Sequence, residues 1–215
     1  SVGCPLSGRY TRQFFLWFYV EVINMGRWFD FSNDEYQFRG LGELRSQWTK
    51  IPSFPARDAI AEAHQYYDFL CTMVVGRVQS WTHPREEREN WFRPTPLSLS
   101  ARSGAISSCI SVGSSIIECA MRAHAENRNI KKLMKHAPEH RTFGKVIYTW
   151  KTHGVYGSEI ATIIEDLEKI HARRNDIHLY ASFGRSWEDI SNEESEILAT
   201  IERLFTFFQN LDPVA

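Results

Sequence analysis

Ser158-Glu159-Ile160-Ala161-Thr162-Ile163-Ile164-Glu165-Asp166-Leu167-Glu168-Lys169-Ile170-His171-Ala172-Arg173-Arg174-Asn175-Asp176-Ile177-His178 lies toward the C-terminal end of the chain. Ile160, Ile163, Ile164, Leu167 and Ile170 recur at steps of three and four, the spacing of a helix with one buried face. The same step then reaches Arg174, Ile177 and His178, so the inward stripe turns from apolar to ionisable. Between His171 and His178 there are two arginines, an amide, a carboxylate and two histidines. Arginine holds a phosphate as a planar fork, and histidine exchanges a proton near neutral pH. Together they point to chemistry on a phosphodiester.

Outward from this stretch, the chain reads as helices in both directions. Ser191 and Glu194 have capping-box spacing and open a last helix striped by Ile197, Leu198, Ile201, Leu204, Phe205, Phe208 and Leu211. Upstream, Phe143, Val146, Ile147 and Trp150 form the apolar side of a short helix over 142–150, interrupted by Gly154 and Gly157. A further helix opens near Ser98 or Ser100, both good N-caps. Its stripe is Ala105, Ile106, Cys109, Ile110, Gly113, Ile116, Ile117, Ala120 and Met121. Ser107, Ser108, Ser111, Ser114 and Ser115 crowd the same segment. Small side chains let a neighbouring helix approach, so this is the expected central helix, with Glu118 the acid in its middle. Before it, Ile60, Ala63, Tyr67, Leu70, Val74, Val78 and Trp81 mark one long helix that ends ahead of Pro84.

The first fifty residues differ. Phe14-Phe15-Leu16-Trp17-Phe18-Tyr19-Val20 is aromatic and β-branched and favours a strand. Trp28 to Phe31 and Tyr36 to Arg39 add two short alternating segments around the turn chemistry of Ser32-Asn33-Asp34-Glu35. Gly40, Gly42, Pro52 and Pro55 then break the pattern. The expected architecture is mainly α: a bundle of four to five helices over residues 53–215, preceded by a small β-containing region over residues 1–52.

Composition narrows the function classes. The 215 residues are 43% hydrophobic and 24% charged, enough to bury a core. Lys+Arg 25 against Asp+Glu 26 gives a net charge of -1, which argues against a broad electrostatic grip on nucleic acid but allows a local basic cleft. Cys4, Cys71, Cys109 and Cys119 are far apart, with no Cys-x-x-Cys pair, so a reducing, cytoplasmic setting without disulfides or zinc is expected. The apolar run Phe14–Val20 is too short to span a bilayer. No basic segment and cleavage site precede it, so neither a signal peptide nor a membrane partner is expected.

Arg173-Arg174-Asn175-Asp176-Ile177-His178 resembles the Arg-x-x-x-x-His motif of the HEPN superfamily (higher eukaryotes and prokaryotes nucleotide-binding). These are small all-α domains with the motif toward the C-terminal part of the bundle. The resemblance covers roughly residues 97–211 by helix order and leaves out the first fifty. Arg173 stands at the motif spacing from His178. In that family a polar residue, often asparagine, follows the arginine; here Arg174 takes that place and Asn175 comes one later. The register starting at Arg174 has only three residues before the histidine, and both assignments stay open.

The resemblance implies a metal-independent endoribonuclease that works without a cofactor. The RNA 2′-hydroxyl would be the nucleophile and His178 the general base or acid. Arg173 or Arg174 would stabilise charge on the phosphate, with Asn175, Asp176 and Glu118 in support. Products would be a 2′,3′-cyclic phosphate and a 5′-hydroxyl. The site would be composite, built across a homodimer. Toxin–antitoxin or anti-phage settings would add an antitoxin or effector protein as partner. The alternative is a non-catalytic module that binds nucleotide, RNA or protein through the same arginines.

Each residue also has a plainer role. Cations at a helix C-terminus suit the helix dipole, and Glu118 has Arg122 four residues on as an ion-pair partner. His171 reads as a partly exposed helix residue and His64 as a polar residue at the core edge. His136 and His140 flank Pro138 without the acids or cysteines of a metal site, so no metal is expected. Lys131, Lys132 and Lys135, with Arg141, form a basic patch that either faces solvent or steers RNA. Trp17, Phe18, Trp28 and Phe29 read as core aromatics or base-stacking platforms.

Overall fold

The computed structural model describes residues 39–75, 99–153, 158–177 and 193–213. The chain divides between Gln37 and Phe38, and all described residues belong to the second unit. The strands expected over 14–20 and 28–31, and that over 36–39 apart from Arg39, lie outside them.

In order, the helices are α1 (Leu41–Gln47), α2 (Phe54–Phe69), α3 (Leu99–Asn127), α4 (Lys131–Met134), α5 (Phe143–His153), α6 (Ser158–Ala161), α7 (Ile164–Asp176) and α8 (Glu194–Asn210). A π-helical turn, Leu70–Val75, extends α2, and a 3-10 turn, Pro138–His140, precedes α5. The described residues are thus mainly α and contain no strand.

The helix α3 is the hub. It packs against α2 and its π turn, α4, α5, α7 and α8. Its small residues explain how. A Cβ added at Gly113 would meet Ile201 Cγ2 at 2.8 Å, Ile201 Cδ1 at 2.9 Å and Tyr67 Cε2 at 3.2 Å. Backbone of α3 is therefore touched by α8 and α2 at one point. The serine hydroxyls are absorbed by the helix itself: Ser114 and Ser115 both donate to the Ser111 carbonyl, and Ser108 donates to that of Gly104. Gly104–Asn127 is the one described segment long and apolar enough by composition to cross a membrane, yet half of its apolar window is buried inside this bundle.

The end of α3 follows from one residue. Asn129 adopts a left-handed conformation with φ 50°, which asparagine tolerates better than most residues. Ile130 N–H then reaches back to the Ala125 carbonyl and Asn129 N–H to that of Glu126, a Schellman ending. The start of α2 is equally local: Ser53 accepts from Ala56 N–H at 3.4 Å, and Pro55 occupies the first turn, where no donor is needed.

Two segments depart from the sequence expectation. Gly40 and Gly42, expected to end the β pattern, open a helix, α1, inside the region 1–52. Gly40 is its N-cap and Gly42 lies in its first turn, where helix propensity matters least. Leu44, Trp48 and Ile51 are fully buried at helical steps around this element, and their burial outweighs the glycine cost. The stretch expected as one helix from Ser158 is broken at Thr162–Ile163 into α6 and α7. The β-branched run Thr162-Ile163-Ile164 is stiff at χ1 and weak in helix propensity, while Ile160 before the break and Ile163 within it stay buried.

His64 sits inside the core rather than at its edge, 1% exposed. Trp48 Nε1 lies 2.9 Å from its Nδ1 and Arg39 Nη2 lies 2.8 Å from its Nε2. Neither neighbour can accept a hydrogen bond. A neutral imidazole can accept from only one of them, and a protonated ring from neither. Asp68 holds Arg39 in place by accepting from both Nε and Nη2 along one edge of the guanidinium. Phe205 of α8 meets the edges of Trp48, His64 and Tyr67 at 4.7–5.7 Å between ring centroids, so α1, α2 and α8 close around one aromatic cluster.

Burial, reinforced by Arg39, pushes His64 down to about 4, and burial beside Arg128 does the same to His124. Unfolded, both rings take a proton near pH 6.5. Their folded pKa values are depressed, so the stability they support is complete above pH 6.5 and is lost as pH falls toward 4. Urea unfolding should show a loss of about 2 kcal/mol per histidine between pH 7 and pH 5. His64→Gln should remove about half of that slope; an unchanged slope would mean that His64 already titrates normally.

The approach at Gly113 gives a second expectation. Gly113→Ala should destabilise by up to about 2 kcal/mol, because overpacking of about 1–3 kcal/mol offsets the helix-propensity gain of about 1 kcal/mol. Gly104→Ala, with nothing within 4 Å of the added methyl, should stabilise by roughly 0.5–1 kcal/mol. Equal shifts in the urea midpoints of the two variants would rule out the tight crossing.

Candidate functional site

Leu167 and Ile170 are fully buried and anchor α7 in the bundle. One turn further on, its C-terminal end carries Arg173 and Arg174, which part in different directions. Arg174 Nη1 forms an ion pair with Glu118 Oε2 of α3. Its guanidinium carbon also lies 5.9 Å from the centroid of the Phe143 ring at the start of α5, a cation–π geometry. Arg173 pairs through Nη2 with Glu193, which precedes α8, and through Nη1 with Asp176 Oδ2 at 3.4 Å. Each guanidinium is thus held by carboxylates, with 19% of the Arg173 side chain and 34% of the Arg174 side chain exposed.

His171 lies one turn before Arg174, partly buried, with its ring edge-on to Phe143 at 5.5 Å. Its Nε2 would be 3.1 Å from a Cβ at Gly144, so a glycine at the start of α5 makes room for it. Asn175 is exposed. His178, the expected general base or acid, lies outside the described residues. Lys131, Lys132 and Lys135 are exposed on and just after α4. Lys132 Nζ sits 4.9 Å over the ring of Tyr148 on α5.

Of the residues singled out from sequence, Glu118 and Arg174 are brought together, as are Arg173 and Asp176. The reading of Glu118 as partner of Arg122 is corrected. Arg122 Nε donates to Glu126 at 2.8 Å, four residues on the other way. Glu126 also receives Arg141 Nη1 at 2.6 Å. Burial raises the Glu126 carboxyl, but these two hydrogen bonds outweigh it and hold the group below the usual carboxylate range. Arg122 had acids at both i−4 and i+4, and only packing decides between them. Glu193 was not anticipated, and Phe143 was expected as a helix core residue but not as a neighbour of Arg174. They belong to other elements, and no spacing rule links them to α7.

A guanidinium carries five N–H donors. A carboxylate can therefore orient it while other donors remain for a phosphate oxygen. Among the described residues, no group of three or more His, Cys, Asp or Glu side chains is placed to hold a metal ion. Comparison with family models, with curated proteins and with solved structures finds no match to this chain.

The Glu118–Arg174 pair lies between the surface and buried regimes, so removing one partner leaves a half-desolvated charge. Glu118→Gln and Arg174→Gln should each cost about 1–2 kcal/mol. The double variant should cost clearly less than both together. Strict additivity in urea denaturation would show that the two side chains are not coupled.

Proposed function

We propose that this chain is a metal-independent endoribonuclease of the HEPN type. The observation that carries the reading is the pair of guanidiniums at the end of α7, each oriented by an acid from another element: Glu118 of α3 for Arg174, and Glu193 before α8 for Arg173. Fixed, partly desolvated donors of this kind suit charge that develops on a phosphoryl group. Residues 173–178 supply the Arg-x-x-x-x-His spacing, and the order α3, α5, α7, α8 agrees with the helix order implied by the resemblance.

In this reading the RNA 2′-hydroxyl attacks its own 3′-phosphorus and the 5′-oxygen of the next nucleotide leaves. His178 takes a proton from the nucleophile or gives one to the leaving oxygen. Arg173 or Arg174 holds the non-bridging oxygens. Glu118, Asp176 and Glu193 together carry more charge than the two arginines, so the site of one protomer is not a general anion trap. That balance supports a composite site, in which a second copy across a two-fold axis adds its own arginines and histidine. Lys131, Lys132 and Lys135 would meet the RNA backbone outside the cleft. A cytoplasmic toxin–antitoxin or anti-phage role, with an antitoxin or effector as partner, belongs to the same proposal.

The same ion pairs favour a second reading. Arginines already satisfied by acids suit a non-catalytic module that binds nucleotide, RNA or a protein partner without breaking a bond.

Cleavage of total RNA in excess chelator separates the two. The wild type should cut and leave 2′,3′-cyclic phosphate ends, and His178→Ala should lose at least about a hundredfold in rate. Equal cutting by both proteins would place the chemistry elsewhere. RNA binding without cleavage by folded wild-type dimer would select the binding module.

A further inference from the structure

The Cys71 and Cys109 thiols, 38 positions apart in sequence, lie with their sulfurs 3.9 Å apart. The two sit on different elements. Cys71 is in the π-helical turn that extends α2, and Cys109 is on α3, against which that turn packs. A disulfide brings sulfurs to about 2.05 Å, so roughly 2 Å of approach separates the two states. A π turn has a looser hydrogen-bond ladder than the α-helix around it and can supply that movement together with rotation about Cα–Cβ.

The surroundings of the described cysteines are unequal. Cys71 is partly exposed, so a small solute reaches it, whereas Cys109 is fully buried. The hydrogen bond with Cys109 draws the Cys71 thiol below its ordinary pKa against the upward push of burial, and Tyr67 adds to the effect. Cys119 is also partly exposed, but burial pushes its thiol up. The thiolate is the reactive form, so accessibility favours Cys71 over Cys109, and ionisation together with the neighbouring sulfur favours it over Cys119.

We propose that Cys71 and Cys109 form a reversible disulfide when the protein meets a small two-electron oxidant of the peroxide class, with Cys71 attacking first and Cys109 resolving. In the first step the Cys71 sulfur attacks one oxygen of hydrogen peroxide, the O–O bond breaks, and Cys71 becomes a sulfenic acid as water leaves. In the second, the Cys109 sulfur attacks the Cys71 sulfur. The S–O bond breaks, the S–S bond forms, and the Cys109 proton leaves with the hydroxyl as a second water. One peroxide is reduced to two waters, and two thiols are oxidised to one disulfide. The bond ties the π turn to α3, one helical turn before Gly113. A dithiol reductant reverses it, so the reduced pair is the resting state in a reducing compartment. The inference is independent of the ribonuclease reading.

The test is a titration of the whole, reduced protein with hydrogen peroxide, followed by alkylation and non-reducing peptide mapping. A peptide linking Cys71 to Cys109 should appear and vanish on dithiothreitol treatment, and Cys71 should react at least roughly tenfold faster than Cys119. Cys119→Ser should form the same link. In Cys109→Ser, Cys71 should instead accumulate as sulfenic and sulfinic acid. The proposal is overturned if Cys71 and Cys109 both remain alkylatable while Cys119 oxidises. It is equally overturned if Cys71 links to Cys4, to Cys119 or to a second chain.

Discussion

The crossing at Gly113 sets the register of everything else. At that residue α3 has no side chain, and Ile201 of α8 and Tyr67 of α2 come to rest almost on its backbone. A helix held on two sides at one point can neither slide nor rotate freely. Five residues on, about 140° around the axis and roughly 7.5 Å along it, Glu118 emerges toward α7 and meets Arg174. Four residues back, Cys109 faces the π turn of α2. Ion pair and sulfur pair therefore depend on the same close approach. The serines of α3 serve it too, since their hydroxyls bond within the helix and leave its surface thin.

The end of α7 shows how a bundle keeps arginines near its interior. The apolar stripe of α7 ends at Ile170, and the positions after it would expose a seam if they were merely polar. Arg174 closes it with its guanidinium over the Phe143 ring and paired with Glu118. Arg173 turns the other way, to the start of α8. Two adjacent residues thus stitch α7 to α3, α5 and the segment before α8. Any anion that approached these arginines would compete with carboxylates already in place.

Much of the fold was legible from apolar spacing alone. The stripes of α3, α5, α7 and α8 predicted most of their buried residues, with Ala105, Ile164 and Leu198 only partly covered, because helix periodicity and core burial express the same constraint. What escaped was governed by position rather than periodicity. Glycines at 40 and 42 read as breaks, yet at a helix start they cost little, and the burial of Leu44 and Trp48 lies too close together to register as a stripe. The break at Thr162–Ile163 left no gap in the apolar pattern. The expected long helix from Ile60 to Trp81 holds as α-helix to Phe69 and changes to π geometry over Leu70–Val75; its last part, with Val78 and Trp81, lies outside the described residues. In the site, Arg173, Arg174, Asp176 and Glu118 were legible as residue types. Their partners were not: Glu118 and Arg174 are 56 positions apart, and a local rule offered Glu118 the nearer Arg122. His64 escaped for a related reason, since only the folded core sets Trp48 and Arg39 against its two nitrogens.

The π turn at Leu70–Val75 also bears on how this sequence tolerates change in length. A π turn is how an α-helix houses one residue more than its ladder can pair. A deletion within those six positions would let α2 run on as ordinary helix, with nothing upstream of Leu70 disturbed. The turn's own residues beyond the deletion would rotate by about 100° around the helix axis. Leu70 and Cys71 are packed against α3 and the core, so that rotation would pull them out of contact, and the length of this turn is held fixed by the packing it serves.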